Sequence, residues 1–220
     1  MSLKLGDTVP DFSTETNKGH MDSFHAWIGD SWAILFSHPA DFTPVCTTEL
    51  ARVAELGAEF QKRHVKMIAL SCDSAESHRG WIADIKSYGN ISEFPYEIIA
   101  DEKRDLAVKF GMLDPVEKDA AGLPLTARAV FIIGPDKKLK LTILYPATTG
   151  RNFNEVLRVI DSLQLTAHKK VATPVDWKEG GECMVLPSVK PEEIPGLYPK
   201  GVRVQELPSK KQYLRFTPQP

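Results

Sequence analysis

The stretch Ser37-His38-Pro39-Ala40-Asp41-Phe42-Thr43-Pro44-Val45-Cys46-Thr47-Thr48-Glu49-Leu50 holds the residues best suited to chemistry in this chain. Thr43 is a favoured helix N-cap and Pro44 is at home in the first helical position, so the spacing predicts a helix start with Cys46 in its first turn. There the helix dipole favours an anion, and the thiolate is the nucleophilic form of cysteine. A thiol with the ordinary pKa of ~8.5 is about 3% ionised at neutral pH, whereas one near ~6 is about 90% ionised, a gain of about 30-fold. Enzymes usually supply roughly a million-fold or more, so other groups must orient a substrate and take up charge on its leaving atom. Thr43, one helical turn before Cys46, is spaced to bring a hydroxyl beside the sulfur. Arg128 opens an apolar run where a charge has no packing reason to be, and it is the candidate for fixed positive charge brought from a distant strand. Geometry alone leaves a simpler reading open, in which Cys46 is a small buried hydrophobe.

These residues need elements to hold them. Trp32 to Phe36 and Val65 to Leu70 are apolar runs separated by a segment, Thr47 to Arg63, with Leu50, Val53, Ala54 and Phe60 at helical spacing. That is a strand, helix, strand unit. The alternation continues with a helix over Glu76 to Tyr88, a strand over Tyr96 to Ala100 and a short helix over Asp105 to Phe110. Ala129 to Ile133 and Leu139 to Leu144 are joined through Gly134-Pro135-Asp136-Lys137-Lys138, a turn signature that predicts an antiparallel hairpin. Asn152 to Leu165 reads as a closing helix with Phe153, Val156, Leu157 and Ile160 on one face. Alternating strands and helices predict an α/β sheet covered on both sides. Composition shifts near Thr166: the last 55 residues hold eight of the 16 prolines, which predicts a turn-rich second lobe that packs through its aromatic and aliphatic residues.

Composition narrows the classes of function. With 220 residues, 42% hydrophobic and 25% charged, the chain reads as an ordinary globular protein rather than a disordered or fibrous one. A net charge of −2 gives no long-range attraction for nucleic acid or anionic membranes. Three cysteines without a C-x-x-C pair argue against a disulfide framework and a structural zinc site, and the six histidines show no metal-binding spacing. No secretory signal and no apolar run of membrane-spanning length stand out, so the expectation is a cytoplasmic protein without integral membrane association.

Pro39-x-x-x-Thr43-x-x-Cys46 matches the active-site signature of peroxiredoxins, and its flanks resemble the 1-Cys, peroxiredoxin-6 subgroup. The resemblance continues through Ala69-Leu70-Ser71, Asp73-Ser74 with His78 and Trp81, Gly111 to Pro115, Thr126-Ala127-Arg128, Gly134 to Leu141, Tyr145 to Asn152 and Thr217 to Pro220, so it covers essentially the whole chain. It implies a thioredoxin-like fold, a central mixed sheet flanked by helices, as a peroxidase domain over 1–165. A smaller loop- and strand-rich domain associated with dimerisation follows over 166–220. It implies a thiol-dependent peroxidase of hydrogen peroxide and organic or phospholipid hydroperoxides, in which Cys46 is the peroxidatic cysteine and Thr43 and Arg128 activate the peroxide. Pro39 and His38 border that site, although His38 reads equally well as a packed structural residue. Where 2-Cys relatives carry a resolving cysteine, the similar stretch Val171-Ala172-Thr173-Pro174-Val175-Asp176-Trp177-Lys178 has Thr173 at the cysteine's place. Cys72 reads as a strand-end thiol, and Cys183 is displaced from the resolving position. The resemblance therefore implies sulfenic acid on Cys46 regenerated by an external thiol, glutathione by analogy. A glutathione transferase as a partner, a homodimer and no bound cofactor complete the expectation.

A second activity accompanies that subgroup, a calcium-independent phospholipase A2 with a lysophospholipid acyltransferase function, and its serine, histidine and aspartate carry over as Ser31, His25 and Asp136. Gly29-Asp30-Ser31-Trp32-Ala33 departs from G-x-S-x-G at Ala33, and Ser31 leads into a strand rather than following one, which argues against a nucleophile elbow. A Gly-Asp-Ser turn feeding the strand is the favoured reading. A redox-linked chaperone is the remaining alternative.

Overall fold

In a computed structural model of the chain, residues 3–220 are described. Among them the first elements in chain order are β1 (Thr14–Thr16), β2 (Gly19–Met21), α1 (Phe24–Ile28), β3 (Trp32–Ser37), α2 (Pro44–Glu55), α3 (Gly57–Lys62), β4 (Val65–Ser71), α4 (Ala75–Gly89) and β5 (Glu97–Ala100). Then come α5 (Asp105–Phe110), β6 (Leu113–Lys118), β7 (Pro124–Thr126), β8 (Arg128–Ile133), β9 (Leu139–Tyr145) and α6 (Phe153–His168). The remainder holds β10 (Val171–Ala172), β11 (Cys183–Val185), a single 3₁₀ turn (Pro191–Glu193), α7 (Ile194–Leu197), β12 (Arg203–Val204) and β13 (Arg215–Thr217).

Strands β3, β4 and β5 run parallel, as helical crossovers require, whereas β8 pairs antiparallel with β3 and β9 antiparallel with β8. The described residues thus form a mixed seven-stranded sheet in the order β2-β1-β5-β4-β3-β8-β9. Every residue of β3 and of β8 is buried, which is why both read as unbroken apolar runs rather than alternating ones. The pleat sends Ala33, Leu35, Ile68, Leu70, Ala129 and Phe131 to one face, where Phe24 and Ile28 of α1 and Leu106 and Phe110 of α5 join them in one core. Ile34 and Phe36 take the other face. There the Phe36 ring meets Tyr96, whose hydroxyl donates to the Leu50 carbonyl of α2 at 2.7 Å, and α4 packs along α2.

The single helix expected over Thr47 to Arg63 is two. Leu56, with ψ of 4°, ends α2, and α3 restarts at Gly57. A Cβ at Gly57 would lie 3.1 Å from the Pro95 ring, a tight contact that favours a glycine at the break. The hairpin of β8 and β9 is as expected, with Lys137 in the left-handed region at φ 61°.

The chain divides into compact units of 1–153 and 154–220, so α6 falls with the second unit rather than closing the first at 165. The reason is local: Ser162 and Thr173 hydroxyls meet at 2.6 Å, Arg158 Nη1 donates to the Trp177 carbonyl at 3.0 Å, and Leu165 packs on the cluster of Val171, Trp177, Cys183, Val185 and Tyr198. Strands β10, β11, β13 and β12 form the second unit's antiparallel sheet.

Candidate active site

Cys46 sits where the spacing put it, in the first turn of α2, with Thr43 as the extended N-cap residue and Pro44 opening the helix. It is fully buried. Arg128, the first residue of β8, brings Nη1 to 3.3 Å from the Cys46 Sγ, and the same nitrogen donates to Glu49 Oε2 at 2.7 Å. Its Nε donates to the Ala147 carbonyl at 2.8 Å, which fixes the plane of the guanidinium. Glu49, one turn after Cys46, also receives Arg151 through its peptide N–H at 2.6 Å, Nε at 2.9 Å and Nη2 at 2.8 Å. Burial works to raise the Glu49 carboxyl, but the hydrogen bonds and charge of Arg151, with Arg128 beside it, outweigh burial and hold it below the usual carboxylate range. Both arginines are nearly excluded from solvent. Two hydroxyls align the strands that deliver Arg128: Ser37 Oγ donates to the Ala127 carbonyl at 2.6 Å and accepts from the Ala129 N–H at 3.1 Å, and Thr126 Oγ1 donates to the His38 carbonyl at 2.6 Å.

Thr43 differs from expectation in direction. Its hydroxyl proton goes to the Ala40 carbonyl at 2.9 Å rather than to a group at the sulfur, so its oxygen is left with lone pairs that accept. Pro39 is buried beside His38 at the end of β3. His38 is fully buried, its ring 5.2 Å from that of Trp81, and its Nε2 lies 2.9 Å from Asp41 Oδ1. Asp41 Oδ2 is in turn 2.7 Å from His78 Nδ1. Burial would raise the Asp41 carboxyl, but hydrogen bonds from both histidines outweigh it and hold the group far below the usual range. His38, Asp41 and Asp73 bring one nitrogen and two carboxylate oxygens within 4.8 Å of one another, a spacing a cation could bridge. Protons already fill those positions: the Asp41 N–H and the Ser71 hydroxyl both donate to Asp73.

Comparison with known proteins agrees with this geometry. The AhpC/TSA family matches residues 5–142, and the C-terminal domain of 1-Cys peroxiredoxin matches residues 162–201. Peroxiredoxin-6 of Gallus gallus is 63% identical over 221 residues, spanning 99% of this chain and 98% of that protein. The chain belongs to the 1-Cys peroxiredoxins, in the peroxiredoxin-6 subgroup. Peroxiredoxin-6 of Homo sapiens is 61% identical with the same coverage. A crystal structure of a cysteine-to-serine mutant of peroxiredoxin 6 from Arenicola marina is similar at a TM-score of 0.97 and 59% identity, covering 100% of this chain and 99% of that one. A yeast mitochondrial 1-Cys peroxiredoxin, whose structure concerns thiol resolution via glutathione/thioredoxin systems, is similar at 0.86 and 40%, covering 98% and 99%. The thioredoxin-like fold is borne out, and the protein is a thiol peroxidase.

In this 1-Cys peroxiredoxin the three residues of the phospholipase reading are not wired together. His25 Nε2 pairs with the Val9 carbonyl at 2.8 Å, and Asp136 is taken by Lys140 Nζ at 2.7 Å and the Lys138 N–H at 3.2 Å. No hydrogen bond joins Ser31, His25 and Asp136 among the described residues. Ser31 borders a separate hollow of about 620 Å³ with Trp27, Gln61 and Lys66, and neither His25 nor Asp136 lines it. Glu49 and Arg151, which complete the frame around Cys46, are not singled out by sequence reasoning. A carboxylate on the helix face that also holds Cys46, Leu50, Val53 and Ala54 was the signal for the first, and Arg151 offered none beyond lying in a stretch similar to the family.

Proposed function

We propose that Cys46 is the peroxidatic cysteine and that Arg128, Glu49, Arg151 and Thr43 form the frame in which its thiolate attacks a hydroperoxide. The contact of Arg128 Nη1 with Sγ at 3.3 Å carries the reading. Two buried guanidinium groups share one buried carboxylate, so the frame has one positive charge in excess, and a thiolate neutralises it. Burial makes that balance count, since charges ~4 Å apart interact several-fold more strongly there than in water. The sulfur attacks the terminal oxygen of R–O–O–H. An S–O bond forms, the O–O bond breaks, and the leaving alkoxide or hydroxide takes a proton as Cys46 becomes sulfenic acid. Arg128 supplies positive charge where negative charge moves, and Thr43 accepts the peroxide O–H and so sets its orientation.

An external thiol then condenses with the sulfenic acid, releasing water, and a second thiol displaces Cys46 from the mixed disulfide. Glutathione is the reductant this reading favours, supported by the glutathione/thioredoxin systems described for the yeast relative, with a glutathione transferase as its delivery partner in a cytoplasmic setting. Hydrogen peroxide and organic or phospholipid hydroperoxides are the proposed substrates, approaching from a hollow of about 450 Å³ lined by Phe42, Thr43, Pro44, Thr47 and Trp81. A homodimer is supported by β9, an edge strand that exposes 60% of Leu144. Stopped-flow peroxide reduction with excess glutathione or thioredoxin tests the scheme: Cys46→Ser abolishes turnover, and turnover at the normal rate in that variant sinks the assignment.

A further inference from the structure

The hollow beside Thr43 is walled by residues whose type and exposure the reaction at sulfur does not explain. Phe42 stands in the left-handed region at φ 52°, where a bulky side chain is strained, yet it exposes 58% of its surface. Its ring lies over α4, where a Cβ at Gly80 would sit 3.7 Å from the ring tip and the Trp81 ring is 6.2 Å away. Strain that is kept in order to present an aromatic ring to solvent points to binding rather than packing. Tyr88, on the face of α4 that also holds Trp81 and Asp84, exposes 62%, and the exposed Pro44 completes an apolar rim.

The polar groups of the hollow are of one kind. Thr43 donates its hydroxyl to the Ala40 carbonyl at 2.9 Å, and Thr47 donates to the Thr43 carbonyl at 2.8 Å while its oxygen receives Trp81 Nε1 at 3.2 Å. These three donors are spent within the protein. Asp84 is the one charged side chain on the lining among the described residues. Lys86 lines a neighbouring hollow with Asn90 and Ile91, which shares only Ser87 with this one.

We propose that Phe42 and Tyr88 hold the organic tail of a hydroperoxide and that Asp84 makes the hollow select tails without negative charge. This specificity rests on Cys46 as the reacting thiol and on the hollow as the way to it. A hydroperoxide whose O–O–H end enters at Thr43 lays the first carbons of its tail against Phe42 and Pro44 and the next against Tyr88, displacing water from aromatic surface. Hydrogen peroxide has no atoms to reach that surface. A carboxylate carried on the tail meets Asp84 and finds the donors of Thr43, Thr47 and Trp81 already used. Like charges about 8 Å apart at a protein surface repel enough to change a rate about three- to tenfold at low salt, and screening removes most of that effect at high salt.

Two probes of nearly one shape separate charge from bulk: cumene hydroperoxide bearing a para-carboxylate, and the methyl ester of the same molecule. Stopped-flow oxidation of Cys46 in the full chain, at neutral pH and low salt, should favour the ester about three- to tenfold. The preference should shrink at high salt, vanish in Asp84→Asn and reverse in Asp84→Lys. In Phe42→Ala the rate with cumene hydroperoxide should fall about tenfold relative to that with hydrogen peroxide, as apolar contact is lost. Equal rates for ester and carboxylate in the unsubstituted protein, a preference that ignores salt, or one that survives in Asp84→Asn overturns the charge selection. An unchanged ratio in Phe42→Ala overturns the tail site. Unchanged ratios together with an altered sedimentation mass in these variants assign the surface to a second copy of the chain and overturn both. Hydrogen peroxide keeps the two readings apart: if it leaves Cys46 unoxidised the peroxidase assignment fails, whereas rapid oxidation by hydrogen peroxide without discrimination between the two probes removes the specificity alone.

Discussion

Glu49 is the residue on which two arginines converge, and its removal leaves two buried cations without their shared partner. Breaking a buried ion pair from one side typically costs about 3–5 kcal/mol, so Glu49→Gln should lower unfolding stability by that order at neutral pH, read by urea denaturation. The pH dependence has a definite sign. The Glu49 carboxyl is held below its ordinary value of about 4.3, so its contribution is present above that pH and is lost as pH falls through the lower folded value. Glu49→Gln should therefore flatten the decline of stability below about pH 4.3, leaving the share due to Asp41, which is shifted in the same direction. Identical acid limbs in the two proteins would remove Glu49 from this role. At this scale the sequence shows Cys46, Thr43 and Arg128 because a cysteine at a helix start and an arginine opening an apolar run are unusual in type and place. Glu49 and Arg151 escape because burial of a charge becomes visible only with its partner, and here the partner is 102 residues away. The direction of the Thr43 hydroxyl is hidden for the same reason, since it depends on where the Ala40 carbonyl turns.

Among the elements, the β3 to β8 seam matters most for the chemistry. Arg128 reaches Cys46 only if β8 starts in register with the end of β3, and Ser37 bonds both sides of that start, at Ala127 and Ala129. Ser37→Ala leaves a buried N–H and a carbonyl unsatisfied, at a cost of about 1–3 kcal/mol. The same variant should slow peroxide reduction, since Arg128 lies between the two bonded residues. Normal kinetics in a destabilised Ser37→Ala protein would show that the seam supports the fold alone. The central strands, the α2 start and the β8–β9 hairpin were legible because each has a long apolar run or a turn signature. The three-residue strands β1, β2 and β7 are too short to show a period, and Pro115 masks β6. The break at Leu56 interrupts an apolar period that continues from α2 into α3, so the period alone does not show it.

For the whole molecule the deciding question is which thiol reaches a sulfenic acid on Cys46. Exchange needs a thiolate, and burial pushes the Cys72 thiol up to about 11, with Asp101, Asp73 and Asp119 adding to burial against the pull of Arg104. At pH 7 that leaves roughly one part in ten thousand ionised, against about 3% for an unperturbed external thiol, a disadvantage of about 300-fold. Cys183 is fully buried and its thiol is also raised, chiefly by burial. Thr173, at the resolving position, spends its hydroxyl on Ser162. On the proposed role of Cys46, the chain protects its sulfenic acid only as fast as an external thiol arrives, and peroxide in excess of that thiol should carry Cys46 on to sulfinic and sulfonic acid. Intact-mass and peptide spectra after peroxide treatment should show two and then three added oxygens on Cys46, with Cys72 and Cys183 still reduced. Added glutathione should suppress the shift in proportion to its concentration. A stoichiometric disulfide from Cys46 to Cys72 or Cys183 would instead make the protein its own reductant, and the raised thiols of those two residues are the physical reason to expect that bond to lose the competition.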